Sequence, residues 1–104
     1  MRAVVLKEPR SLVVEDIPRP VLAGDEVLIE VKACGICGSD LRYFNGENPW
    51  AKQTLGYDKP NPPDMILGHE FAGVIVDAGS PALKPRIGER VAALAFKACG
   101  IGRY

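Results

Sequence analysis

Apolar residues along this chain come in short runs with a period of two, punctuated by proline and glycine, so the sequence predicts strands joined by tight turns. Arg2 to Lys7 and Ser11 to Ile17 are β-branched runs on either side of Glu8-Pro9-Arg10, the pattern of a hairpin-like pair that Pro18 and Pro20 bring to an end. Asp25 to Ala33 is the longest strand signal. Val27, Ile29 and Val31 alternate with Leu28, Glu30 and Lys32, and the alternation stops at Cys34-Gly35, where a turn must follow. Ser39 to Gly46 reads as a short helix, with Ser39 or Asp40 suited to cap its start and Asn45-Gly46 to end it. Prolines at 49, 60, 62 and 63, with Gly56 and Asn61 among them, predict a surface loop without a regular element from Trp50 to Asp64. Met65 to Gly68 leads into His69, Phe71 to Gly79 reads as a buried strand of small residues, and Glu89 to Phe96 is the last strand. Short strands, one short helix and many turn residues predict a mainly β, barrel-like domain.

Composition narrows the function classes. A length of 104 residues with 47% hydrophobic content suits one globular domain with a modest core, residues 1–104. Thirteen basic and thirteen acidic side chains give a formal net charge of zero, so nothing in the composition attracts a polyanion and nucleic acid is not an expected partner. No run approaches the roughly 20 apolar residues that span a bilayer, and no basic-then-apolar leader opens the chain. The expected location is the cytoplasm, with no membrane partner. A homo-oligomer is compatible with this composition.

Candidate chemistry concentrates in two stretches, Cys34 to Gly46 and Gly68 to Gly79. They hold the only histidine, His69, and two of the three cysteines. Cys37 sits just before the expected helix, where backbone donors suit the thiolate that binds metal. His69 and Glu70 stand at the mouth of the following strand. A soft thiolate, an imidazole and a carboxylate form a set that suits zinc with one position left open, the catalytic pattern. Blander readings stand beside this one. Cys34 reads as a small packed residue, Glu70 could pair on the surface, and Tyr43 could serve core or pocket. Cys34 and Cys37 also form a C-x-x-C, but the βαβ setting of a thioredoxin-like redox pair is absent.

The segments GICGSDL (35–41) and GHEFAGVIVDAG (68–79) resemble those of the zinc-dependent medium-chain alcohol and polyol dehydrogenases, in their GroES-like domain. Gly73 and Gly79 match the glycines recurring in the second segment, and Gly88-Glu89-Arg90-Val91 resembles the family's Gly-Asp-Arg-Val turn. The resemblance runs from Met1 through about Val91. It implies a GroES-like, partly open β-barrel with one or two short helices. By position, Cys37 and His69 match the first two catalytic zinc ligands, and Glu70 matches a carboxylate beside the metal that coordinates it in some states. Ser39 matches the hydroxyl that takes the alcohol proton, and Asp40 the carboxylate that orients the histidine. Arg42 stands where a histidine often relays the proton outward, and an arginine cannot shuttle one at ordinary pH. Gly38 resembles the polyol and threonine dehydrogenase branch.

Two departures shape the expectation. Cys99-Gly100-Ile101-Gly102 keeps the first cysteine of the family's structural zinc lobe and has glycine in place of the second, so no structural zinc is expected. No G-x-G-x-x-G follows a strand, so the dinucleotide-binding domain and its NAD or NADP are not expected on this chain. The resemblance thus implies the N-terminal catalytic domain of a longer dehydrogenase, acting on a small alcohol, polyol or carbonyl substrate and inactive alone. The alternative is a GroES-like scaffold or interaction module that has lost the chemistry.

Overall fold

The structure, a computed structural model, describes residues 1–94. In chain order its elements are β1 (Arg2–Glu8), β2 (Ser11–Asp16), β3 (Val27–Gly35), α1 (Gly38–Phe44), α2 (Pro49–Leu55), β4 (Met65–Ile66), β5 (Glu70–Ala78), a 3-10 turn (Lys84–Arg86) and β6 (Arg90–Ala92). The end of the last expected strand at Phe96 and the Cys99 to Gly102 stretch lie outside the described residues. No helix among the described residues is long and apolar enough to cross a membrane. The described residues form two compact units, one from 1–21 and 36–68, the other from 22–35 and 69–94.

The first unit carries an open antiparallel sheet in the order β2-β1-β4. The expected hairpin is there, with Val4 opposite Val14 and Val5 opposite Val13. Its turn is Pro9-Arg10. Proline fixes the first turn residue, and Arg10 takes a left-handed φ of 67°, the conformation a tight turn asks of its second residue. The Arg10 N–H donates to the Phe44 carbonyl at 2.7 Å and ties the turn to the end of α1. Val5 and Leu6 of β1 and Ala51 of α2 are the buried apolar residues of this unit.

One expectation fails here. Trp50 to Asp64 is not a loop throughout, because Pro49–Leu55 is helical. Proline is tolerated in the first helical turn, where its missing N–H has no intrahelical partner anyway. The Asn48 side chain accepts from the Ala51 N–H at 2.9 Å, and Gly56 ends the helix in the left-handed conformation at φ 78°. The rest of the stretch is irregular and anchored at two points. The Asn61 amide donates to the Glu47 carbonyl at 2.9 Å, and Lys7 reaches both Asp64 and Glu15 at 2.7 Å.

The second unit is an antiparallel sheet in the order β3-β5-β6. Gly73 and Gly79 are fixed by close approach. A Cβ on Gly73 would overlap the Glu30 carbonyl oxygen, and one on Gly79 would overlap that of Ala23. Ile75 is buried at the centre of β5. The β3–β5 register is irregular twice. Val27 faces Ala78 and Leu28 faces Asp77; then Val76 is skipped, and Ile29 to Val31 face Ile75 to Gly73. Lys32 is skipped next, and Ala33, Cys34 and Gly35 face Ala72, Phe71 and Glu70.

Candidate metal centre

Cys37 is the N-cap of α1, with φ −89° and ψ 156°. The cap differs from the expected Ser39 or Asp40. Helical geometry begins at Gly38, so Asp40 falls at the third helical position, from which its carboxylate reaches back to the cap. Asp40 Oδ2 accepts from the Cys37 N–H at 2.9 Å, and the Asp40 N–H donates to the Cys37 carbonyl at 3.0 Å. Asp40 is 8% exposed, the one buried charged side chain among the described residues. The Cys37 thiol is free and half-buried, and so is the side chain of Ser39 two positions on. Asn45 and Gly46 end the helix as expected, with Gly46 at φ 93°.

Gly68, at φ 102°, turns the chain into β5 just before His69. His69 is half-buried and Glu70 exposed. Glu70 opens β5 opposite Gly35, the last residue of β3. Around this end of the second unit lies an open, mostly apolar hollow of about 580 Å³, lined by His69, Glu70, Gly35 and the small side chains Ala33, Ala72 and Ala92.

The expected site residues therefore divide between two units: Cys37, Ser39 and Asp40 in the first, His69 and Glu70 in the second. Cys34 is exposed rather than packed, with its Sγ 3.6 Å from the Gly35 carbonyl oxygen. Only Val27 to Ile29 of β3 are partly buried; from Glu30 to Gly35 both faces of the strand are exposed, Cys34 with them. Arg42 is engaged by Glu47 in an exposed ion pair at 2.9 Å. Tyr43 is half-buried, and its carbonyl receives the Asn61 amide at 3.4 Å. Sequence reasoning passed over Gly35, whose only signal was a glycine two residues before Cys37.

Residues 23–104 match the family model of the alcohol dehydrogenase GroES-like domain. Among curated relatives, the L-threonine 3-dehydrogenase of Chelativorans sp. (strain BNC1) is 37% identical over 101 residues, covering 96% of this chain and 27% of the relative. Among solved structures, the alcohol dehydrogenase TADH from Thermus sp. ATN1 superposes with a TM-score of 0.77 at 31% identity, over 100% of this chain and 27% of that one. The short chain alcohol dehydrogenase rspB of Escherichia coli CFT073, solved with NADH, gives a TM-score of 0.74 at 30% identity, over 99% of this chain and 27% of that one. The chain spans about a quarter of the length of these relatives.

Proposed function

The chain belongs to the alcohol dehydrogenase GroES-like domain family, and from that premise we propose that residues 1–104 form the zinc-holding catalytic domain of an NAD(P)-dependent alcohol or polyol dehydrogenase. Cys37, His69 and Glu70 would hold the metal. Sulfur, nitrogen and oxygen donors on three side chains fit a catalytic zinc with a position left for substrate.

One observation carries this reading: β3 and β5 are paired so that Gly35 faces Glu70. Paired residues in an antiparallel ladder stand about 5 Å apart. Cys37 follows Gly35 by two residues, a reach of at most about 8 Å, and His69 immediately precedes Glu70. Covalent connection thus limits how far Cys37 can lie from His69 and Glu70, which supports the reading.

Zinc, when bound, supplies Lewis-acid polarisation of a substrate oxygen. The chain's own residues supply the rest. Ser39 takes the proton released by the substrate hydroxyl, a role suited to a half-buried hydroxyl two residues from a ligand. Asp40 steadies Cys37 through its backbone and, as the resemblance implies, orients His69. The hollow, whose apolar lining mixes small alanines with Phe71 and Leu94, has room for a small alcohol or carbonyl compound. The nicotinamide that exchanges hydride would sit on a dinucleotide-binding domain, and these 104 residues contain no G-x-G-x-x-G, so by themselves they are not expected to turn over. A cytoplasmic location remains part of this reading.

Metal analysis of the purified chain tests it. The expected result is one zinc per chain, lost in Cys37→Ser and in His69→Ala. Absence of zinc from the wild type after zinc-replete expression would overturn the reading in favour of a scaffold that has lost its chemistry.

A further inference from the structure

Gly35 does not owe its identity to its backbone. Among the described glycines, positions 46, 56, 68 and 88 take left-handed φ values, and Gly35 does not. What sets it apart is its neighbour. A Cβ built on Gly35 would stand 3.1 Å from Glu70 Oε2 and 3.5 Å from both the Cβ and the carbonyl oxygen of Glu70. The last two are ordinary contacts, while the first would require the carboxylate to give by a few tenths of an ångström. The tightest contact of the added methyl group would therefore be with the acidic end of Glu70.

We propose that Gly35 is a positioning residue for the Glu70 carboxylate: the missing side chain leaves the space in which that carboxylate lies over the end of β3, beside His69 and the hollow. This deepens the reading given above and rests on it. Alanine at this position suits an extended strand better than glycine does, so a purely structural role predicts unchanged or slightly improved stability and unchanged metal affinity. A positioning role predicts that stability and metal affinity part company.

The test is a double-mutant cycle on the full chain, using cobalt(II) with zinc competition and following the thiolate-to-cobalt absorption of Cys37. Gly35→Ala is expected to weaken metal binding roughly 10-fold, the scale on which groups supporting a metal ligand act, while urea unfolding shows no loss of stability. In a Glu70→Ala background the same change is expected to do nothing. Should Gly35→Ala alone fail to fold, folding of the same change in the Glu70→Ala background would support the contact with that carboxylate, and failure in both would overturn it. Equal weakening in both backgrounds, or no weakening while Glu70 is present, would overturn the inference and leave the zinc reading standing. A wild-type chain that binds neither metal would overturn both.

Discussion

The carboxylate of Asp40 receives the backbone N–H of Cys37 at 2.9 Å, so the side chain that steadies the start of α1 belongs to the residue three positions after its cap. Asp40→Ala removes that acceptor from a buried setting and is expected to cost about 1 kcal/mol of stability in urea unfolding, as loss of a helix cap does. Asp40→Asn keeps a carbonyl oxygen and is expected to lose less. Equal losses would mean that the charge, not the acceptor, matters.

Metal binding is linked to folding wherever the unfolded chain lacks the assembled donors. Zinc at 100 times its dissociation constant is expected to stabilise the wild-type chain by about 2.7 kcal/mol and to raise its melting temperature accordingly. A chelator should reverse the rise, and Cys37→Ser should show none. Thermal scans with and without zinc measure all three.

Gly79 and Gly24 make a matched pair. A methyl group at Gly79 has no place to go but into the Ala23 carbonyl, whereas Gly24 has nothing within 4 Å. Gly79→Ala is therefore expected to lose about 3 kcal/mol, at the upper end for overpacking, and Gly24→Ala to be near neutral. Similar midpoints for the two variants in denaturant would contradict the close approach.

Lys7 gives the fold a small alkaline dependence. Its hydrogen bonds to Asp64 and then Glu15 hold its pKa above the ordinary 10.5. A raised folded value favours the charged form in the native state. The resulting stability is complete below pH 10.5 and is lost as pH rises through the folded value. The gap between wild type and Lys7→Gln should therefore be flat at neutral pH and close only above 10.5. The gap is expected to be small, because the ion pairs are exposed.

Asn48→Ala should untie α2 from its start and cost about 1 kcal/mol, read as reduced helicity and a lower denaturation midpoint.

Much of this was legible in the sequence because the signals were local. The Pro9-Arg10 turn, the strand over Val27 to Val31 and the Asn45-Gly46 stop each rest on a few neighbouring residues, and each is found in the structure, although burial along that strand does not alternate. α2 escapes a reading by composition because Pro49 groups with the prolines at 60, 62 and 63. Position matters more than number: Pro49 opens a helix, and the ten residues after it contain no proline. Cys34 departs from expectation for a different reason: cysteine is usually buried, but β3 is exposed on both faces from Glu30 to Gly35, and no residue type within the strand reveals that. The candidate ligands were read from their motifs; the opposition of Gly35 and Glu70 could be seen only once the strands were paired.

The two skips in the β3–β5 ladder run in opposite senses, one in each strand, so they cancel and both ends share one alignment. Had only the skip at Val76 occurred, Cys34 instead of Gly35 would face Glu70, and a thiol would fill the space beside the carboxylate. Length changes in this strand pair are accordingly unequal in effect. Removing a residue that the ladder already passes over leaves every partner in place, while inserting one between Ala33 and Gly35 moves the candidate centre by a full residue without touching any of its donors.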